Sequence, residues 1–223
     1  MKKTINFLFI IFIIFFISSV VNAQSFDKNL LVIHSNFGIE IYNTTYNYKT
    51  KNTNYVANTT KTDRAASKNF NLGAEYGLHK LFGVGLNFKN NNFFTSKDTT
   101  TNITPTANSF DIALAASLHA ITAKKFDLLI GGEFGYSKLT YKANDPTNLI
   151  LKGDGTFGTI FLSPRIYFGD FGINFKFYAP FVNYTKMKTN NEDYNYYIIS
   201  KWSGNPGFGC SFGIQYKINL GKK

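Results

Sequence analysis

Apolar residues alternate with polar or small ones along several separate stretches of the chain. Across 68–78, Phe70, Leu72, Ala74, Tyr76 and Leu78 interleave with Asn69, Asn71, Gly73, Glu75 and Gly77. Across 82–89, Phe82, Val84, Leu86 and Phe88 interleave with Gly83, Gly85, Asn87 and Lys89. The same period of two recurs at about 31–46, 109–118, 126–137, 171–178 and 208–218. A helical stripe would repeat near every 3.6 residues, so these segments are predicted strands. The stretch 157–168 is less regular. Ile160, Leu162, Ile166 and Phe168 fall on one face, with Thr159, Phe161, Ser163, Arg165 and Tyr167 on the other. Pro164 lies in its middle and cannot donate to a ladder, which predicts a bulge or local break there.

The connections sort by length. Segments 47–67, 90–108, 142–156 and 184–205 are long and rich in Asn, Thr and Lys, whereas 79–81, 122–125 and 169–170 are tight turns. A soluble sandwich has no reason to place long connections at one end and short ones at the other. An outer-membrane barrel does, with long loops outside and short turns in the periplasm. The pattern therefore predicts an all-β fold, an eight-stranded antiparallel up-and-down transmembrane β-barrel over 24–223, with both termini periplasmic. Phe82, Phe126, Phe168 and Phe171 flank the short turns and are expected in one aromatic girdle. Phe93, Phe94, Phe110 and Tyr136 are expected in the other.

The N-terminus agrees with export. Lys2 and Lys3 precede a run from Ile5 to Ile17 broken only by Asn6, and Val21-Asn22-Ala23 has the small-residue form of a cleavage site. Residues 1–23 thus read as a signal peptide. A retained span is the competing reading of an apolar run this long, and the flanks favour cleavage. Cys210 is the single cysteine, so no internal disulfide or paired-cysteine metal site is expected. The net charge of +11 becomes +9 without the leader, with 22 basic residues against 13 acidic.

On the inward faces, Glu40, Glu75, Asp111 and Glu133 accompany Lys89, Arg165 and Lys176. These could line an ion path or form a salt-bridged plug. An eight-stranded barrel is just wide enough for side chains to fill, and enclosed carboxylates need partners, so a plug is expected. Inward glycines such as Gly77, Gly172 and Gly209 would make room for Tyr42, Tyr167 and Tyr178. Gly207-x-Gly209-x-x-x-Gly213 nearly scans as a nucleotide loop but lacks the strand-to-helix turn that chemistry needs. His34, His79 and His119 all map to the short-turn end, and His34 or His119 near Ser117 is the one arrangement that could serve catalysis. Isolated rim histidines are usually solvated, so no enzyme, metal site or cofactor is expected.

Ser211-x-Gly213-x-x-Tyr216-x-Ile218 resembles the last-strand signal read by the outer-membrane insertion machinery, polar-x-Gly-x-x-aromatic-x-hydrophobic. It continues for five further residues rather than stopping on an aromatic. The chain after the leader resembles the small OmpA/OmpX-type outer-membrane β-barrel superfamily. That resemblance implies a bacterial outer-membrane location without a catalytic motif, and a role in envelope integrity or surface interaction. Its partners would be outer-membrane lipid and lipopolysaccharide, the insertion machinery and an unidentified surface ligand. Nucleic acid is not expected. Known lipid-modifying barrels act from the outer leaflet, opposite the three histidines. An OmpW-like channel for small apolar molecules is the alternative, with the expected break at Pro164 as its lateral opening.

Overall fold

The computed structural model describes residues 25–52, 55–97, 102–191 and 199–221; the leader expected at 1–23 lies outside them. Eight strands form: β1 (Leu30–Asn52), β2 (Tyr55–His79), β3 (Phe82–Phe93), β4 (Thr106–Thr122), β5 (Phe126–Lys142), β6 (Ile150–Phe168), β7 (Phe171–Thr189) and β8 (Ile199–Asn219). Each pairs antiparallel with the next, and β8 returns to β1, closing the barrel. Leu30 lies opposite Asn219, so the first and last strands begin and finish at one end, here the terminal end. The three tight turns sit at that end, and Gly169 takes a positive φ of 72° in the last. A side chain would be strained there. The opposite end is the hairpin end.

The period of two decides which way each residue points. Phe37 is 68% exposed on the outer wall while Glu40, three positions on, is fully buried within. The exposed apolar positions of β1 run from Ile33 to Ile41, close to the length of a tilted strand that crosses a bilayer. Cys210 shares this face with the exposed Phe208 and Phe212. Such a wall is unfavourable in water and ordinary in lipid.

Three expectations need correction. The supposed loop 47–67 is mostly strand, since β1 runs to Asn52, β2 starts at Tyr55, and Asn52 pairs with Tyr55. β4, β6, β7 and β8 also extend into the stretches expected to be loops. The outward positions of these extensions are polar, among them Lys152, Asp154, Lys188 and Lys201, so no apolar wall stripe marks them. Pro164 makes no bulge, only a local break, in which the ladder to β7 skips Ser163 and Pro164. It stays opposite Leu128, and the β6–β7 register is the same on both sides of it, from Leu162–Phe177 to Arg165–Asn174. The Ser163 hydroxyl donates to the Phe175 carbonyl at 2.8 Å, supplying a donor that a proline lacks. Phe93 belongs to no girdle; it turns inward and packs against Trp202.

The irregularities lie elsewhere, and they change which residues face in. On β8, Ile41 of β1 pairs with Phe208 but Asn43 pairs with Asn205. One extra residue in the Pro206-Gly207 region therefore shifts the alternation. Gly209 and Ser211 point inward on one side of it, Gly204 and Trp202 on the other. On β7, Gly155 pairs with Tyr184 but Asp154 with Lys186. The extra residue, Thr185, turns Met187 inward and leaves Lys188 exposed on the wall.

Candidate functional site: a lumen in two layers

Toward the terminal end the interior is polar. Lys89 Nζ lies 2.7 Å from Glu40 and 3.5 Å from Asp111. Arg165 Nη1 lies 2.6 Å from Glu75, and Lys176 is ion-paired with Glu133. All seven charged residues anticipated from the sequence thus lie inside the barrel and meet in three clusters. Neutral donors complete the carboxylates. Asn87 Nδ2 and the Thr159 hydroxyl both donate to Glu133, at 2.8 and 3.1 Å. Asn91 and Ser137 donate to Asp111 at 2.8 and 2.5 Å. Pairing of this kind offsets the desolvation that would otherwise expel such groups.

His119 departs from expectation. It is fully buried rather than solvated at a rim. Its Nδ1 lies 2.9 Å from both oxygens of Asp127, and its Nε2 lies 3.1 Å from Glu75. The Ser117 hydroxyl donates to Glu75. A nucleophile–base pair needs a ring nitrogen free to take the serine proton, and both nitrogens of His119 already face carboxylates. Asp127 and His119 extend the Glu75–Arg165 cluster, a participation that spacing alone did not reveal.

The N-terminal segment closes the terminal end. Phe26 is fully buried and stacks on the His119 ring, centroid to centroid 3.4 Å with planes 12° apart. The Ser25 hydroxyl donates to the Phe126 carbonyl at 2.9 Å, and the Asn29 amide to the Gly77 carbonyl at 2.9 Å. Gly77 admits this segment, because a Cβ there would stand 2.2 Å from the Asp27 carbonyl oxygen. Two cavities within the polar layer measure about 30 Å³ and 10 Å³. A water needs roughly 10–15 Å³ by this measure. Asn36 and Asn174 line the larger one, each with an amide atom that meets no partner in the protein.

Toward the hairpin end the interior becomes apolar. Tyr42, Leu139, Leu151, Phe157, Val182, Tyr184 and Met187 form one cluster, with Phe93, Tyr141 and Trp202 packed against it. Trp202 meets Phe93 edge-on at 5.8 Å and leans on Tyr184 at 5.5 Å. Two phenols join the layers: Tyr42 donates to Glu40, and Tyr184 shares a 2.7 Å hydrogen bond with Ser137. Above them opens a cavity of about 300 Å³, with Leu139, Leu151, Met187 and Trp202 in its wall and Asp63 and Arg64 among its polar lining. Sequence alternation placed Leu139, Met187 and Trp202 in no site, because two bulges set the direction of the last two.

The wall is interrupted beside the junction of the layers. Pairing of β7 with β8 stops at Tyr178–Gly209 and resumes at Val182–Gly204. Pro180 and Pro206 lie in the gap, and neither has an amide hydrogen to donate. Behind it stand the rings of Tyr178 and Tyr42, seated where Gly209 and Gly204 lack a Cβ; one added at Gly209 would lie 2.3 Å from Tyr178. On β8, Ser211 and Gly213 face inward, Tyr216 faces out, and Ile218 is half-buried opposite Leu31.

No family model and no curated protein sequence matches this chain. Solved structures do. Outer membrane protein OprG of Pseudomonas aeruginosa aligns at TM-score 0.52 and 12% identity, over 87% of this chain and 98% of that one. AlkL, solved in lipid bilayers, aligns at 0.50 and 11%, over 91% and 96%. The outer membrane protease OmpT of Escherichia coli aligns at 0.43 and 9%, over 89% and 99%, a likeness too loose to bear on chemistry. At such identities the shared property is architecture, and this chain has the closed β-barrel fold seen in outer membrane proteins such as OprG and AlkL.

Proposed function

We propose that this protein is a non-enzymatic barrel of the bacterial outer membrane, exported by cleavage of residues 1–23, with its termini in the periplasm and a plugged polar lumen. It acts at the cell surface through its hairpin end, in envelope integrity or in contact with a surface ligand. The observation that carries this reading is the paired terminal layer, where the two cavities are water-sized and Phe26 covers the mouth. The membrane location is supported by the exposed apolar belt and the aligned outer-membrane proteins. On β8, Ser211, Gly213, Tyr216 and Ile218 would be read by the insertion machinery. Planar-bilayer recording of the purified protein tests the plug. No sustained single-channel current is expected, and stepwise ion conductance would overturn the reading.

A second reading rests on the apolar cavity of about 300 Å³ and the nearby β7–β8 gap. Small apolar molecules would enter at the hairpin end and leave sideways into lipid, as the resemblance to OmpW-like barrels implies. The opening would lie at Pro180 and Pro206 rather than at Pro164. Transfer of an apolar fluorophore into proteoliposome membranes separates the two readings. Acceleration over protein-free vesicles supports the second, and an unchanged rate leaves the plugged surface barrel.

A further inference from the structure

We infer that the outer wall of β5–β7 at the hairpin end binds the phosphates of a bisphosphorylated outer-leaflet glycolipid, lipid A, through Lys138, Lys142, Lys152 and Lys188. This inference rests on the outer-membrane reading above and gives its lipid partner a site. All four lysines are exposed. Lys152 stands opposite Thr140 on β5, two positions from both Lys138 and Lys142 along that strand. On its other side it stands directly opposite Lys188 on β7. Like charges facing each other across a ladder are unfavourable. Among the described residues none of the four forms an ion pair. Asp154 stands directly opposite Lys138 and accepts the Tyr136 hydroxyl, so the cluster is least balanced at Lys152 and Lys188.

Two features make the cluster more than scattered surface charge. The Thr185 bulge is what leaves Lys188 on the wall, since unbroken alternation would have turned it inward. The height also fits. Phe134 and Tyr136, 60% and 48% exposed, end the apolar belt of β5, and Lys138 is the next outward position. Successive outward positions on a strand are about 7 Å apart, so the ammonium groups begin where lipid phosphates lie. A phosphomonoester carries roughly −1.5 to −2 charge at pH 7. One such group between Lys152 and Lys188 would turn their repulsion into shared attraction. Lysine suits this role as a point charge on a flexible stem.

The test uses the full chain, expressed into outer membranes and purified in detergent, with bisphosphorylated lipid A as probe and native mass spectrometry as readout. Lys152→Gln with Lys188→Gln should weaken binding at least tenfold. Lipid A with both phosphates removed should bind the unaltered protein as weakly. Lys68→Gln, at an exposed lysine on β2 away from β5–β7, should leave binding unchanged. Lys152→Arg with Lys188→Arg keeps the charge and should retain most of it. Equal binding by the Gln pair and the unaltered protein would overturn the site. So would equal loss in Lys68→Gln, or phosphatidylglycerol micelles competing as well as lipid A. Heat-modifiable gel mobility of each variant, folded against boiled, separates a lost site from a lost barrel. If the unaltered protein shows no such mobility shift, the membrane reading itself fails instead.

Discussion

The two halves of the lumen meet the same constraint in opposite ways. Each is a tube enclosed by eight strands that its own side chains must fill. The terminal half fills it with charge: Glu75, Glu133 and Glu40 are each held by a cation, and Phe26 covers the exit. The hairpin half fills its base with Tyr42, Tyr184 and Phe157 and leaves a cavity of about 300 Å³ above them. Buried charge is tolerable only where it is paired. An apolar filling has no unpaired groups to lose and can stop short of the mouth. The closed end is thus the end with most to lose from a single substitution, and the open end has latitude to adapt.

The contrast can be broken most forcefully at Glu75. Glu75→Gln leaves Arg165, and one side of His119, without a carboxylate in the interior, and removal of one partner from such a pair costs about 3–5 kcal/mol. The urea midpoint of the gel-mobility transition should fall accordingly. Adding Arg165→Met should recover part of the loss, since apolar replacement of a whole pair is often neutral or better. No recovery would mean that the terminal half depends on something other than charge pairing. Trp202→Ala at the open end should cost less than about 3 kcal/mol, the low end for truncating buried tryptophan, because Trp202 is only half-buried. Its clearer effect should be a larger cavity, read as tighter binding of a bulky apolar dye.

Smaller changes sharpen the comparison. Gly209→Ala forces a methyl to within 2.3 Å of the Tyr178 ring, and Gly204→Ala to within 2.8 Å of Tyr42. Overpacking of this kind costs about 1–3 kcal/mol. The Gly209 variant should sit at the upper end by thermal gel shift, because Tyr178 also accepts Asn69 at 3.0 Å and has less freedom to move. Met187→Leu conserves volume and should cost under about 1.5 kcal/mol, the smallest effect of the set. A larger loss would show the open half to be as tightly specified as the closed one.

The wall was easiest to read along its exposed apolar belt. Phe70 to Leu78 and Phe82 to Phe88 face outward as their alternation predicts, because one face must be apolar and the other must not. The hairpin of β1 and β2 beyond the belt was not legible. Its sequence is largely Asn, Thr and Lys, which serve equally in strand or loop. In the lumen, Glu40, Glu75, Asp111, Glu133, Lys89, Arg165 and Lys176 were legible as inward positions, but which cation meets which acid was not. Lys89 reaches Glu40 across 49 residues and Arg165 reaches Glu75 across 90, separations on which local spacing is silent.

By itself, the sequence determined the architecture: eight alternating segments, three tight turns at one end, and an outer face too apolar for water. These follow from a period of two and from turn chemistry, both of which are local. Only the tertiary structure decided that His119 is clamped rather than solvated, that Phe26 stacks on it, and that Trp202 and Met187 line a cavity. Closure of the ring brings residues from distant strands within hydrogen-bond reach. A single extra residue, at Thr185 or near Pro206, reverses the direction of everything beyond it on that strand. Such a reversal is fixed by pairing with neighbouring strands, so no single stretch of sequence records it.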